Sequence, residues 1–183
     1  MTHVMTLGTL VSEPVLDRSE LVAVPVAQAL AAWPAADRVA VAPIDPDLAD
    51  TAAFCAAYQV PPEASANCVV VCGKRSGEQR WAAAVILATT RADVNGAVRR
   101  RLDVRKLSFA PMTGAVTLTG MEYGGITPIG LPESWPVLVD ARVAAAGPVV
   151  IGSGIRGSKI ILDGALLAEL PGAEVVEELA LPI

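Results

Sequence analysis

Cys68-Val-Val-Val-Cys72 and Trp81-Ala-Ala-Ala-Val-Ile-Leu-Ala-Thr89 flank Gly73-Lys-Arg-Ser-Gly77. Two apolar, partly β-branched runs on either side of turn-forming residues predict a β-hairpin. Upstream, Val39–Ile44 reads as a strand, and Asp47 or Asp50 can start a helix over Thr51–Tyr58 ahead of Pro61-Pro62. Ser19 is positioned to cap a helix over Leu21–Trp33, with Pro25 in or near its first turn. Downstream, Asp93 caps a helix that ends near Arg101, Val104–Phe109 reads as a strand, and Pro111 opens a helix toward Thr119. Pro136–Asp140, Pro148–Ile151 and Lys159–Leu162 read as strands, Asp163–Leu170 as a helix and Ala173–Val176 as a last strand. Helices and strands mix without regular βαβ spacing, which predicts an α+β domain on a curved mixed sheet.

The chain has 183 residues, the size of a single domain spanning 1–183, and it is large enough to bury a core without metal or disulfide staples. Hydrophobic residues make up 53% and charged residues 18%, which excludes a disordered tail. Mean hydropathy is +0.51. Even so, the longest apolar stretch, Leu21–Ala36, contains Pro25, Gln28 and Pro34 and falls short of the about 20 residues a membrane span requires. No Lys or Arg precedes Arg18, so the basic start of a signal peptide is missing. These features predict a cytoplasmic protein with no membrane partner.

Scarce residue types narrow the chemistry. The one histidine, His3, lies near the N-terminus, where an oriented imidazole beside a nucleophile is not expected. Three cysteines, Cys55, Cys68 and Cys72, are an odd number and argue against a disulfide framework. Cys68 and Cys72 share a strand face about 13 Å apart, too far to ligate one metal, and are expected to be small core residues. The sequence therefore predicts no metal and no cofactor.

The net charge of −5 excludes a generally basic nucleic-acid binder, but the charge is unevenly spread. Nine of the 14 basic residues fall within 64–106, the densest run being Arg99-Arg100-Arg101-Leu-Asp-Val-Arg105-Lys106. A local basic face suits a phosphate-bearing partner. A solvated helix end, where Arg complements the macrodipole, accounts for the same run.

Two glycine-rich stretches remain. Gly152-Ser-Gly154-Ile-Arg-Gly157 matches the dinucleotide pattern G-x-G-x-x-G. That pattern needs a helix to begin at the loop, whereas Ser158-Lys-Ile-Ile-Leu-Asp-Gly164 is short, β-branched and closed by a turn. A glycine turn between two strands fits better. The other stretch is Gly120-Met-Glu-Tyr-Gly124-Gly125-Ile-Thr-Pro128-Ile-Gly130-Leu-Pro132. Its glycines allow close approach and its prolines fix the loop, so its backbone N–H groups could meet a developing oxyanion. An ordinary structural turn is the alternative.

With both stretches in view, the chain resembles the YbaK/ProX family of aminoacyl-tRNA deacylases, which are similar to the editing domain of bacterial prolyl-tRNA synthetases. Three segments carry the resemblance: Thr51–Pro62 with the Asn67–Val71 strand, Thr119–Gly130 with its Gly-Gly-Ile-Thr-Pro-x-Gly loop, and Val137–Asp140 with Val150–Gly157. Order and spacing agree from about Val39 to Leu170. The resemblance implies a barrel-like mixed sheet with flanking helices, a YbaK/ProX-like core over 39–170, an N-terminal helical extension over 1–38 and a C-terminal strand and acidic tail over 171–183. It implies a free-standing hydrolase that deacylates mischarged tRNA without a metal, using backbone groups and the terminal ribose hydroxyl to place a water. Gly124, Gly125, Thr127, Pro128 and Asn67 then carry the reaction, and Thr51, Gly130, Ser153, Gly154 and Arg156 bind substrate. Arg99, Arg100, Arg101, Arg105 and Lys106 become contacts for tRNA phosphates.

One departure opens a second reading. The family usually has a lysine at the start of the strand after the first helix, and here Asn67 stands there. Lys74 is about 23 Å further along an extended strand, and no lysine lies between Ala49 and Gly73. Either backbone groups and substrate suffice, another cation enters from elsewhere, or the chain is a catalytically weakened module that binds aminoacyl-tRNA or a synthetase.

Overall fold

The two apolar runs pair as neighbouring strands inside the larger sheet. The computed structural model describes residues 5–183, so the reading of His3 lies outside the described residues. Strands β1 (Glu13–Pro14) and β2 (Ala40–Pro43) precede the hairpin of β3 (Ala66–Arg75) and β4 (Glu78–Leu87). That hairpin is in register from Ala66 opposite Leu87 to Arg75 opposite Glu78. Its turn is only Ser76-Gly77, both with positive φ (51° and 80°), the two-residue geometry that matches strand twist. Gly73 to Arg75 thus extend the strand rather than the turn. Gly73 is needed there because a Cβ would come within 2.6 Å of the Lys106 carbonyl.

The remaining strands are β5 (Thr90–Ala92), β6 (Leu107–Phe109), β7 (Val137–Asp140), β8 (Pro148–Gly152), β9 (Ser158–Asp163), β10 (Ala173–Val176) and β11 (Ala180–Pro182). They form a five-stranded mixed sheet in the order β10-β7-β4-β3-β6, a four-stranded sheet β1-β2-β9-β8, and a β11-β5 pair. The two larger sheets meet at a bridge between Ser65 and Val150. The architecture is mixed α+β, as the sequence predicts, with no closed barrel among the described residues.

Why β4 reads as unbroken apolar sequence follows from its position. Val85 and Leu87 face one core, shared with Val41, Val139, Ile151 and Ile160. Ala82, Ala84 and Ile86 face another, with Val71, Val98, Leu102 and Leu179. A strand covered on both faces has no side left for polar residues. Asp140 ends β7 and closes this layer: it accepts from the Arg142 amide and the Ala180 amide, both at 2.9 Å, and pairs with the Arg142 guanidinium at 3.0 Å. Burial opposes its ionisation, but the Arg142 side chain and the two amides outweigh that and hold its carboxyl below the ordinary value.

Helices α1 (Val24–Ala32), α2 (Thr51–Tyr58), α3 (Arg99–Leu102), α4 (Met112–Thr119) and α5 (Ala141–Ala144) flank the sheets. α2 and α4 lie within a residue of the expected spans. α1 starts later than Leu21, because Ser19–Leu21 forms a separate 3-10 turn and Ala23 occupies the cap. The Asp163–Leu170 stretch is also 3-10 (Gly164–Glu169), opened by Asp163 accepting from Ala165 N. β1, β5, β11 and α5 are too short to leave a periodic signal.

The loop 120–130 is stitched to the β8–β9 turn. Gly154 N–H donates to the Gly125 carbonyl at 2.7 Å, and Glu122 N–H donates to the Gly154 carbonyl at 2.8 Å. A Cβ on Gly125 would lie 2.7 Å from the Ile155 backbone, and one on Gly152 would lie 2.6 Å from the Gly125 carbonyl. Gly125→Ala should therefore cost about 2–3 kcal/mol in denaturant unfolding, as an overpacked contact with no flexible neighbour to yield. Gly77→Ala meets no atom within 4 Å and should cost only the about 1 kcal/mol of its positive φ. Equal losses for the two would contradict the stitched contact.

Candidate active site

Where the two sheets part beside the stitched loops, a cavity of about 460 Å³ opens. α2 contributes Thr51, β3 contributes Asn67 to Val70, and the loop contributes Tyr123, Gly124 and Ile126. Gly152 closes it from β8, Lys159 from β9, and Phe109, Met112 and Ala115 from the far side. Val70 and Ala115 rest on Trp135, which stacks on Trp81 with ring centroids 5.3 Å apart, so this floor is rigid. Thr51 Oγ1 donates to Asn67 Oδ1 at 2.8 Å, which fixes the Asn67 amide.

The structure brings Thr51, Asn67 and Gly124 together around this space. Gly125 is buried just behind, its amide donating to the Glu122 carbonyl at 3.0 Å. Neither the Gly124 nor the Ile126 amide is taken by another backbone carbonyl among the described residues. Arg156 spans the rim. It ion-pairs with Asp50 at 3.6 Å and donates to the Pro46 carbonyl at 3.3 Å and the Tyr123 carbonyl at 3.5 Å. A Cβ on Gly124 would overlap its guanidinium.

Other expected residues sit elsewhere. Gly130 faces α1, where a Cβ would come within 2.6 Å of the Pro25 carbonyl, and Gly154 is pressed against Ala23 and Val26. Pro128 lines a separate groove beside Pro25 and Trp33. Thr127 and Ser153 are fully buried. Ser153 Oγ is held by the Ile155 and Ser158 carbonyls, both at 3.1 Å, whereas Thr127 Oγ1 has no hydrogen-bond partner among the described residues. Gly152–Gly157 runs strand-turn-strand with no helix behind it, so the dinucleotide pattern is a decoy. Cys68 and Cys72 are half-buried rather than core residues. Cys68 borders the cavity, and burial pushes its thiol up to about 12.

Lys159 was not among the expected site residues. Its ammonium donates to the Ala49 carbonyl at 3.1 Å and lies 5.1 Å from the centre of the Phe54 ring. Burial lowers its basicity most; Cys55 raises it, Arg156 lowers it further and Asp50 raises it least. A visible signal did exist: a lone lysine interrupting Ser158-Lys-Ile-Ile-Leu162 just after a glycine turn. Among the described residues, no three His, Cys, Asp or Glu side chains gather as a metal would require.

Further along β3 lies a second concavity of about 890 Å³, lined by Lys74, Asn95, Arg99, Arg105 and Lys106. Of the five expected phosphate contacts, Arg99, Arg105 and Lys106 meet here. Arg99 is committed to the Asn95 and Arg105 carbonyls at 2.8 and 3.2 Å. Arg101 pairs with Glu174, and exposed Arg100 does not line the groove.

Residues 45–170 match the aminoacyl-tRNA editing domain family. The chain belongs to that family. No curated protein matches it significantly in sequence. Among solved structures, one described provisionally as a trans-editing enzyme for prolyl tRNA synthetase superposes with a TM-score of 0.71 at 18% identity, covering 90% of this chain and 96% of that one. The hypothetical protein APE2540 gives 0.65 at 22%, covering 76% and 86%. At these identities the likeness is one of fold.

In this editing domain Cys68 is predicted to be chemically quiet despite lining the cavity. With its thiol at about 12, about one molecule in 10⁴ carries the thiolate at pH 8. Iodoacetamide should alkylate Cys68 about a thousandfold more slowly than an unperturbed thiol, as read by mass spectrometry of the native protein. Labelling at the rate of a free thiol would contradict the packed environment.

Proposed function

We propose that the chain is a free-standing hydrolase that removes the amino acid from mischarged tRNA, with no metal in the reaction. The observation that carries this reading is the cavity itself, in a chain of the editing family: Gly124 and Ile126, whose amides no backbone carbonyl claims among the described residues, line the same space as Thr51 and Asn67. The ester carbonyl oxygen sits against the Gly124 and Ile126 amides, which stabilise it as it becomes an oxyanion. A water held by the terminal ribose hydroxyl adds to the carbonyl carbon. The carbon–oxygen bond to the ribose then breaks, the ribose oxygen takes a proton and the free amino acid leaves. Phe109 and Tyr123, 65% and 60% exposed at the cavity mouth, offer aromatic faces for the unpaired bases of the acceptor end. Arg105 and Lys106, about 20 Å along β3 from Asn67, reach phosphates further down the acceptor arm.

A second reading has one observation in its favour. Asn67 supplies no charge, and its carbonyl oxygen is already occupied by Thr51. This suits a module that binds aminoacyl-tRNA or a synthetase without turnover.

Incubation of the purified protein with a panel of mischarged tRNAs, beginning with alanyl- and cysteinyl-tRNA specific for proline, separates the two. The first reading expects catalytic release of one amino acid. It also expects a loss of about tenfold or more in Gly124→Ala, where the new Cβ displaces Arg156 and strains a φ of +86°. A folded protein that binds tRNA yet releases nothing across the panel would leave the binding module. Separately, Arg105→Ala/Lys106→Ala should lower the slope of log affinity for tRNA against log salt by about 2. An unchanged slope would remove the groove from the tRNA path.

A further inference from the structure

Lys159 carries a positive charge that the protein leaves largely unpartnered. Its side chain is half-buried under α2, and among the described residues no carboxylate lies within 4.0 Å of its nitrogen. Asp50, the nearby acid, is 80% exposed and turned to Arg156 instead. An ammonium has three donors, and the protein takes one, through the Ala49 carbonyl. The Phe54 ring adds a weak cation–π contact. The surroundings are electrostatically unfavourable as well. α2 begins here with its positive end toward the cavity, and the Asp50 side chain caps none of its amides. Burying a cation beside another positive pole destabilises the empty protein. An anion entering the cavity would relieve both.

We propose that Lys159, delivered from β9, is the substrate-binding cation of this cavity and holds a negatively charged oxygen of the aminoacyl-RNA 3′ end. This rests on the deacylase reading above and deepens it. Lys159 and Asn67 border the same cavity from different sheets, so the charge missing from β3 is supplied from β9 across the space that substrate fills. Two oxygens share the required chemistry, the phosphate of the terminal nucleotide and the oxyanion formed from the ester carbonyl.

The test uses whichever mischarged tRNA the wild type hydrolyses. Lys159→Met keeps the apolar stem and removes the charge. It should fold, with kcat/KM lower by about 30- to 100-fold, the loss of a charge-assisted hydrogen bond. Lys159→Arg should retain most of the activity, and adding Asn67→Lys to Lys159→Met should restore much of the loss. A rise in KM alone identifies the phosphate, and a fall in kcat alone identifies the oxyanion. Should Lys159→Met not fold, Lys159→Gln is read in the same way. A kcat/KM within twofold of wild type in the neutral variant overturns the proposal. If the wild type hydrolyses nothing, the deacylase reading fails by itself, and Lys159 is judged by binding of a 3′-aminoacylamido adenosine 5′-monophosphate. A tenfold weaker complex in Lys159→Met supports the assignment, and equal affinity overturns it.

Discussion

Two hydrogen bonds between the loop 120–130 and the β8–β9 turn hold the site together, Gly154 N–H to the Gly125 carbonyl and Glu122 N–H to the Gly154 carbonyl. Backbones can approach this closely only where no Cβ intervenes, which explains glycine at 125 and 152, while Gly154 makes room for the Ala23 and Val26 side chains. The same glycines face different neighbours. Gly154 and Gly130 receive α1, so the N-terminal helix is packed against the back of the stitched loops. Gly124 leaves its open side to the Arg156 guanidinium at the rim. The cavity is thus formed by loops that cannot move independently, and the Gly124 and Ile126 amides inherit that rigidity.

Its electrostatics follow from the packing. β9 enters beside the glycine turn and carries Lys159 inward between two buried neighbours, Ser158 and Ile160. Arg156, three positions earlier, leaves the turn in time to reach Asp50 at the surface. One cation is therefore spent on the rim and the other faces the interior. The charged side chains bordering the cavity are thus Lys159 and Asp50, the latter already paired with Arg156, in a chain whose net charge is −5. The basic groove is a separate feature, built where β6 pairs with β3 and Gly73 lets the Lys106 carbonyl and the Val104 side chain come close.

Much of this was legible in the sequence because it rests on local signals. The hairpin showed in two apolar runs and a glycine turn, and α2 and α4 showed in Asp50 and Pro111 at their starts. The glycine loop announced itself by composition, and the rejected dinucleotide pattern by the missing helix. What stayed hidden depended on three-dimensional pairing. Gly130, Gly154 and Pro128 belong to the same motifs as Gly124 but turn toward α1, and nothing in one dimension marks which glycine faces which neighbour. Cys68 looked like core because strand periodicity does not show where a sheet is left uncovered. Lys159 lies 92 residues from Asn67, and only the meeting of two sheets at Ser65 and Val150 makes them neighbours.

The central claim is that substrate binds between the glycine loop, Asn67 and Lys159. A crystal structure with a non-hydrolysable 3′-aminoacylamido adenosine 5′-monophosphate tests it most directly. The account predicts the amide carbonyl at hydrogen-bond distance from the Gly124 or Ile126 N–H, with the Lys159 ammonium on an oxygen of the same ligand. Ligand bound in the Arg105–Lys106 groove, with the cavity empty, would contradict it.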